Sequence, residues 1–241
     1  MIKMGHRGAR GLEPENTILS FKKAIELNCE YVELDVRLSK DNELVVIHDA
    51  SLRRTTNGWG KISKNNYKKI SNVRTKKKDQ KIPTLQDVIN ETKGKIKLNI
   101  EIKDSLAGEK VAELIVKNKI SKNTMVSSNY VKSLLIVKKN SQDIKTALIY
   151  YAYQKKWQMF FMAIYNLVFW PFVKKHILSK AKRAKVEYIN LFYKFATKDH
   201  VKTIKSSGFG VIVWTVNNNK ELSKLIKNGI DGYITDYPDR L

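Results

Sequence analysis

The sequence of 241 residues contains a single cysteine and lacks the short motifs that mark several large enzyme classes. One cysteine, Cys29, cannot form an internal disulfide, which is consistent with a reducing, cytoplasmic location. There is no Walker loop, no G-x-S-x-G nucleophile elbow and no G-x-G-x-x-G fingerprint, so NTPase, serine hydrolase and dinucleotide-binding functions are without support. The first residues, MIKMGHRG, lack the apolar core of a signal peptide, and we expect them to form a strand.

Acidic residues are scarce relative to basic ones. The chain has 23 Asp and Glu against 46 Lys and Arg, which gives a formal net charge of +23. Such an excess attracts polyanions, among them nucleic acids, anionic lipid headgroups and phosphorylated substrates. Charge alone does not choose among these, and a lysine-rich composition can also be a habit of the source organism. Because no nucleic-acid-binding motif accompanies the charge, nucleic acid is the least favoured partner.

Strand and helix patterns alternate along the chain. The apolar, β-rich runs are residues 2–5, 31–38, 95–103, 124–128, 145–150, 187–191, 210–216 and 231–236. Alternation of these runs with helical patterns predicts a parallel sheet, and eight units at this length favour a closed (β/α)8 TIM-type barrel over an open doubly wound sheet. We therefore expect one α/β barrel domain over residues 1–241, with a β-hairpin arm after the second strand and a hydrophobic and basic insertion at residues 151–186.

Residues 31–49, YVELDVRLSKDNELVVIHD, are the most informative stretch. Apolar and charged residues alternate in its first half, so Glu33 and Asp35 point to the same side of a strand. A polar turn then leads into a second β-rich run, which predicts the hairpin arm. If paired residue numbers sum to 83, His48 lies opposite Asp35, and a slip of one residue would turn it to the other face. The alternative is a solvated hairpin whose acids are ordinary surface residues.

A third carboxylate belongs to a neighbouring strand. Glu101 and Lys103 share the polar face of the run KIKLNIEIK, and active sites of (β/α)8 barrels lie at the carboxyl ends of the strands. Three carboxylates in one pocket repel each other unless a cation neutralises them. Oxygen ligands suit a hard cation, so Glu33, Asp35 and Glu101 indicate a site for Mg²⁺ or Ca²⁺.

Histidine and cationic side chains accompany these acids. His6 and His48 have no cysteine partner, which argues against structural zinc, and two histidines beside carboxylates suit a general acid and a general base. Arg7 and Lys103 add donors that match phosphate oxygens. The combination favours phosphoryl transfer from a diester over acyl chemistry.

Seven motifs in order resemble those of the glycerophosphodiester phosphodiesterase family over nearly the full length of the chain. They are HRGARGLEPENT, ELDVRLSKDNELVVIHD, LRRTTNGWG, IPTLQDV, NIEIK, VWTVNN and DGYITDYP. The resemblance implies a barrel enzyme that uses a divalent cation to hydrolyse glycerophosphodiesters to sn-glycerol 3-phosphate and an alcohol. In the mechanism that it implies, the adjacent glycerol hydroxyl attacks phosphorus, one histidine takes its proton, the other protonates the leaving alcohol, and water then opens a cyclic phosphate.

The resemblance also implies roles for particular residues. It makes Glu33, Asp35 and Glu101 the metal ligands, His6 and His48 the acid-base pair, and Arg7 and Lys103 the groups that hold the phosphate. Asn16 matches the asparagine of the Pro-Glu-Asn-Thr motif and would orient the site, with helix capping as the alternative. Trp214 matches an aromatic residue near the glycerol end of the substrate, with a core tryptophan as the alternative. A non-catalytic module that binds anionic surfaces is the alternative of another functional class.

The insertion carries the most apolar stretch of the sequence, residues 157–173. A buried outer helix, an interfacial anchor and a membrane span are the candidate interpretations, and the span is disfavoured because the run is shorter than about 20 residues and contains Pro171. Tryptophans near both ends and six basic residues between positions 174 and 185 favour the interface. We therefore hypothesise that residues 157–185 dock the barrel peripherally on an anionic membrane, where the substrate would be a lysophospholipid.

Overall fold

A computed structural model describes residues 1–150 and 170–240, and its parallel strands close into a barrel. The barrel strands are β1 (Ile2–Gly5), β2 (Tyr31–Leu38), β4 (Lys97–Ile102), β5 (Thr124–Ser128), β6 (Lys145–Tyr150), β7 (Tyr188–Phe192), β8 (Gly210–Trp214) and β9 (Gly232–Thr235). Closure follows from β1, which pairs in parallel with both β2 and β9. The predicted (β/α)8 barrel is confirmed.

Helices cover the outside of the barrel. They are α1 (Ile18–Glu26), α3 (Leu85–Thr92), α4 (Gly108–Lys117), α5 (Val131–Asn140), α6 (Trp170–Ala184), α7 (Lys198–Ser206) and α8 (Asn219–Lys227), with α2 (Tyr67–Ile70) in the arm. Threonine hydroxyls cap the first turn of three of them: Thr17 accepts a hydrogen bond from the Ser20 N–H, Thr84 forms a capping box with Asp87, and Thr197 accepts from the His200 N–H. These caps satisfy backbone donors that the first helical turn leaves unpaired.

Strand alternation divides the core into two layers. Outward-facing residues such as Val32, Leu34 and Val36 pack against the helices in the main apolar cluster. A smaller apolar cluster, which includes Met4 and Met125, fills the barrel interior toward the amino ends of the strands. The inward-facing positions nearer the carboxyl ends are left for polar side chains, and this is where the acids of β2 and β4 lie.

The segment after β2 forms a hairpin arm with a core of its own. Strand β3 (Leu44–Val46) pairs antiparallel with the end of β2, outside the closed barrel. The following residues, about 50–84, wrap a third apolar cluster made by Val45, Ile47, Leu52, Ile62, Ile70 and Ile82. The arm is therefore a packed unit attached to the active-site end of β2.

The register of the hairpin differs by one residue from our prediction. Val36 pairs with Val46 and Leu38 with Leu44, so paired numbers sum to 82. The turn is centred on Asp41, because the N–H of Ser39 donates to the carbonyl of Glu43 over 3.0 Å. The predicted pairing of His48 with Asp35 was therefore wrong. Since β3 ends at Val46, strand alternation does not decide where His48 points.

Most of the predicted interfacial segment, residues 157–169, lies outside the described residues, and positions 170–173 belong to α6. Across 1–150 and 170–240, none of the helices combines the length and the apolar character that crossing a bilayer requires.

Candidate active site

Three carboxylates meet at the carboxyl ends of β2 and β4. The two strands are neighbours, and their register places Asp35 beside Glu101. One carboxylate oxygen from each of Glu33, Asp35 and Glu101 lies within 4.8 Å of the others. Glu33 and Asp35 are only 2% and 1% exposed, so the alternative of ordinary solvated hairpin acids is wrong for both.

Two cationic side chains partly compensate this negative charge. Lys103 forms ion pairs with Glu101 and Asp35, and the Arg7 Nε lies 3.3 Å from the Asp35 Oδ2. Burial alone would raise the pKa of Asp35, but the charges of Lys103 and Arg7 hold that pKa well below its usual range. The pKa of Glu33 is raised well above its usual value by burial and by the charges of Asp35 and Glu101.

The cluster fits a hard divalent cation. The Oδ1 atom of Asp35 is buried and accepts no hydrogen bond from the described residues, although Lys103 Nζ is 3.1 Å away. Three carboxylates face two cationic side chains, Arg7 and Lys103, so the fully ionised cluster would keep an excess of negative charge. Three carboxylates as the ligand set are typical of Mg²⁺ and Ca²⁺ sites.

Asn16 fixes the orientation of Asp35. Its Nδ2 donates to the Asp35 Oδ2 over 2.8 Å, and its Oδ1 accepts from the backbone N–H of Asp35 over 3.2 Å. The residue has a left-handed backbone with φ of 57°, which asparagine tolerates better than most residues. The cap of α1 is Thr17, so capping does not explain Asn16.

His6 is paired with an aspartate from the last strand. It follows β1, Asp236 follows β9, and its Nδ1 lies 2.6 Å from the Asp236 Oδ1. Burial would raise the pKa of Asp236, but the hydrogen bond and charge of His6, together with Arg10 and Asn217, lower it to about 2, so the carboxylate accepts and the His6 Nδ1 donates. Burial and the charge of Arg7 lower the pKa of His6 to about 4. His6 is therefore neutral at pH 7, with Nε2 unprotonated.

His48 is paired with the aspartate that follows it. Its Nδ1 lies 2.7 Å from the Asp49 Oδ1, and hydrogen bonds from His48 and Arg54 outweigh burial and lower the pKa of Asp49. Asp49 is thus an ionised acceptor, and the His48 Nδ1 carries a proton. The Arg37 Nε donates to the carbonyl of His48 over 2.8 Å and fixes this end of the hairpin. The backbone N–H of Ile47, the residue before His48, donates to the carbonyl of Asp35 over 2.9 Å, which keeps this end of the hairpin beside the acid cluster despite the changed register.

Trp214 stands at the carboxyl end of β8 and is partly exposed. Its ring lies 5.7 Å from that of Phe192 at the end of β7. Its Nε1 atom is buried and has no hydrogen-bond partner in the part of the chain that the structure describes. The residue is therefore placed at the site end of the barrel, and it is not a fully buried core tryptophan.

Sequence reasoning missed four charged residues around the histidines and Arg7: Asp49, Asp236, Glu15 and Arg54. Asp49 and Asp236 had a usable signal, since one follows His48 directly and the other follows the last predicted strand. Glu15 and Arg54 lie within the motifs HRGARGLEPENT and LRRTTNGWG, but neither motif indicates their contact, which joins the α1 entry loop to the arm across 39 residues.

Comparisons with known proteins agree with this geometry. A model described as the glycerophosphoryl diester phosphodiesterase family matches residues 6–240. The protein YhdW of Bacillus subtilis (strain 168) is 33% identical to this chain, and the aligned region covers 99% of this chain and 96% of YhdW. A glycerophosphodiester phosphodiesterase of Caldanaerobacter subterraneus subsp. tengcongensis is 32% identical, and the aligned region covers 100% of this chain and 96% of that enzyme. The structure of an Oleispira antarctica phosphodiesterase in complex with the product sn-glycerol-3-phosphate has the same fold, with a TM-score of 0.81. The two sequences are 24% identical, and the superposition covers 100% of this chain and 94% of that one.

Proposed function

Because the chain belongs to the glycerophosphodiester phosphodiesterase family, we propose that it hydrolyses glycerophosphodiesters to sn-glycerol 3-phosphate and an alcohol in a reaction that depends on a divalent cation. The observation that carries the proposal is the cluster of Glu33, Asp35 and Glu101 at the carboxyl ends of two neighbouring barrel strands. Two His–Asp pairs accompany the cluster, which weighs against a non-catalytic anionic-surface module. In this proposal residues 1–241 act as one catalytic domain, with 151–186 as an insertion.

The metal ligands in this proposal are Glu33, Asp35 and Glu101. A bound Mg²⁺ or Ca²⁺ would supply positive charge that polarises a phosphoryl oxygen and stabilises the charge of the transition state. Asn16 would keep Asp35 in its orientation through its two hydrogen bonds to that residue. Because burial and the charges of Asp35 and Glu101 raise the pKa of Glu33, a bound cation would favour its ionised form and lower that pKa.

Proton transfer in this proposal uses the Nε2 atoms of two histidines. His6 is neutral and would accept the proton of the glycerol hydroxyl that attacks phosphorus. His48, carrying a second proton on Nε2, would donate that proton to the oxygen of the leaving alcohol, so no alkoxide has to leave. Water would then open the cyclic phosphate, with the two histidines in exchanged roles. Asp236 and Asp49 hold the Nδ1–H of each ring, which leaves Nε2 for the reaction.

The substrate-binding groups in this proposal are Arg7, Lys103, Asn16 and Trp214. Arg7 and Lys103 bring positive charge to the cluster, and both match phosphate oxygens in charge and hydrogen-bonding capacity. Asn16 would act through Asp35. Trp214 would form, with Phe192, an aromatic wall against the glycerol moiety.

The decisive experiment measures release of sn-glycerol 3-phosphate from a panel of diesters, with and without a chelator. We expect activity in wild type with Mg²⁺ or Ca²⁺, and loss of activity with the chelator or in His48→Ala. His176→Ala is the matched control, because His176 is an exposed histidine on α6. Activity that survives both the chelator and His48→Ala would contradict the proposal.

A second candidate is hydrolysis of lysophospholipids by enzyme docked on an anionic membrane. What favours it is helix α6, which exposes 73% of Phe172 and carries five basic residues. These basic residues are Lys174, Lys175, Lys180, Lys182 and Arg183. A helix that pairs apolar and basic side chains suits an anionic bilayer surface.

Vesicle co-sedimentation tests this candidate. We expect wild type to bind phosphatidylglycerol vesicles more than phosphatidylcholine vesicles, and a triple variant in α6, with Phe172→Ser, Lys174→Glu and Lys175→Glu, to lose the difference. The control makes the same changes on α8, where 46% of Ile226 is exposed: Ile226→Ser, Lys224→Glu and Lys227→Glu. Equal partitioning of the two triple variants would rule out docking through α6.

A further inference from the structure

One arginine of the hairpin arm links the residues around Arg7 to those around His48. Arg54 follows β3 and donates to both oxygens of two different carboxylates. Its Nε and Nη2 lie 2.6 and 3.0 Å from the Asp49 oxygens, and its Nη1 and Nη2 lie 2.9 and 2.6 Å from those of Glu15. Two-point contacts of this kind fix orientation as well as distance, because the guanidinium is planar and its donors are rigidly spaced.

Each of the two carboxylates holds a residue of the site. Asp49 accepts the Nδ1–H of His48 over 2.7 Å. Glu15 accepts from the Arg7 Nη1 over 2.7 Å, and the Arg7 Nε is 3.3 Å from Asp35. An unbroken series of contacts therefore runs from the acid cluster through Arg7, Glu15, Arg54 and Asp49 to His48.

Glu15 and Asp49 differ in how much they depend on Arg54. Glu15 is also paired with Arg7 and its side chain is 12% exposed, so it keeps one cationic partner without Arg54. Asp49 is 26% exposed, and its described cationic partners are Arg54 and, when protonated, His48. The orientation of Asp49, and through it that of His48, therefore rests mainly on Arg54.

We infer that Arg54 is a positioning residue, which holds Asp49 in the orientation that binds the Nδ1–H of His48, so that the proton transferred to the leaving alcohol comes from Nε2. The inference rests on the proposed function, since it assumes that His48 transfers that proton. Arg54 has no catalytic role of its own in this scheme. Removing a group that orients a functional side chain typically costs about 10- to 100-fold in activity.

A purely structural role is the competing explanation, because Arg54 also ties the arm to the α1 entry loop through Glu15. The two roles differ in what they do to the reaction. A loosened arm would lower activity whatever the leaving group and whether or not His48 is present. A misplaced His48 would matter only where protonation of the leaving group is needed.

The kinetic experiment compares Arg54→Met, Arg54→Lys, His48→Ala and the double variant Arg54→Met/His48→Ala. The substrates are sn-glycero-3-phosphoethanolamine and the p-nitrophenyl diester of glycerol 3-phosphate, whose phenolate leaves without protonation. We expect Arg54→Met to lower kcat on the ethanolamine diester about 10- to 100-fold with little change in KM, and to lower it far less on the p-nitrophenyl diester. In the His48→Ala background Arg54→Met should cost nothing further, and Arg54→Lys should lie between wild type and Arg54→Met.

The control variant is Arg53→Met, which changes the exposed neighbouring arginine and should leave kcat unchanged. A second readout is the tautomer of the singly protonated His48 ring by ¹⁵N NMR in the intact chain, recorded at a pH where that form is observed. We expect protonated Nδ1 in wild type and in Arg53→Met, and a mixture of tautomers in Arg54→Met. Urea unfolding of every variant identifies conditions in which all are folded, and Arg54→Lys takes the place of Arg54→Met if the latter does not fold.

Three results would overturn the inference: equal losses on the two substrates, equal losses in the presence and absence of His48, or an unchanged His48 tautomer in Arg54→Met. Full activity of His48→Ala on the ethanolamine diester would instead refute the proposed role of His48. The two failures are therefore distinguishable.

Discussion

At the scale of single residues, the three acids that suit metal binding also lower the stability of the metal-free fold. Glu33 is almost fully buried beside Asp35 and Glu101, and its Oε2 atom accepts the N–H of Arg7 over 2.8 Å. Its raised pKa means that ionised Glu33 destabilises the metal-free fold at neutral pH. A ligand set preorganised for a cation is thus a source of repulsion until the charge is neutralised.

Glu33→Gln should therefore stabilise the metal-free protein and abolish its response to metal. Glutamine keeps an oxygen that accepts from the Arg7 N–H but removes the charge. We therefore expect the free energy of unfolding at pH 7 to rise, because a buried carboxylate no longer stands beside Asp35 and Glu101. Urea unfolding with and without Mg²⁺ measures both effects. Glu30→Gln is the control, because Glu30 is exposed and paired with Lys97. A metal-free Glu33→Gln protein less stable than wild type would contradict this account.

His6 should make the protein sensitive to acid. Its pKa in the folded protein is about 4, below the usual 6.5, because burial and the charge of Arg7 disfavour the imidazolium. A group with a lowered folded-state pKa gives stability that is complete above the unfolded pKa and lost as the pH falls. We expect His6 to account for a loss of about 3 kcal/mol between pH 6.5 and pH 4.

The measurement is the difference in unfolding free energy between wild type and His6→Asn over this pH range. In wild type Asp236, with a pKa of about 2, stays ionised over this range. His176→Asn, which changes an exposed histidine, should have the pH profile of wild type. Parallel profiles for wild type and His6→Asn would show that His6 charges in the folded state without cost.

At the scale of elements, the loop between β1 and α1 holds His6 and Arg7 against β2 by close backbone contact. The N–H of Gly8 donates to the carbonyl of Glu33, and φ of Gly8 is 85°. A Cβ at this position would lie 2.2 Å from the Ser20 Oγ and 2.6 Å from the Ser20 carbonyl carbon in α1. The loop can take this path only because residue 8 has no side chain.

Gly8→Ala should destabilise the protein by more than the cost of its backbone conformation alone. A left-handed conformation costs a non-glycine residue about 1 to 2 kcal/mol, and the collision with Ser20 adds to that. Gly94→Ala separates the two contributions, because Gly94 has φ of 78° with nothing within 4 Å of the added Cβ. Thermal unfolding of both variants is the test, and equal destabilisation would show that the contact with α1 relaxes freely.

The elements also show how far the sequence could predict this site. Period-2 alternation predicted the shared facing of Glu33 and Asp35, because a strand fixes alternate side chains to one side. It did not predict the hairpin register, because moving the turn centre to Asp41 changes every pair by one. His48 reaches the site through the Asp49 contact and the Arg37 hydrogen bond to its backbone, and neither leaves a periodic signal.

At the scale of the whole molecule, the remaining site contacts depend on how the barrel closes. His6 and Asp236 are 230 residues apart, and they meet because the first strand pairs with the last. The count of eight strands predicted closure but not which polar residues closure would join. The aspartate that orients His6 therefore became visible only in the folded chain.

The net charge of +23 gives a last prediction about the molecule as a whole. A compact body with this charge is destabilised by self-repulsion, and salt screens repulsion between exposed charges more than attraction within buried pairs. The screening length falls from about 30 Å at 0.01 M to about 10 Å at 0.1 M salt. We therefore expect the free energy of unfolding to rise with NaCl over this range.

A triple variant with exposed lysines replaced, Lys64→Glu, Lys77→Glu and Lys132→Glu, should lower the net charge by six and show a shallower rise. Stability that falls with salt in wild type would mean that attractive surface pairs outweigh the self-repulsion of the excess lysines.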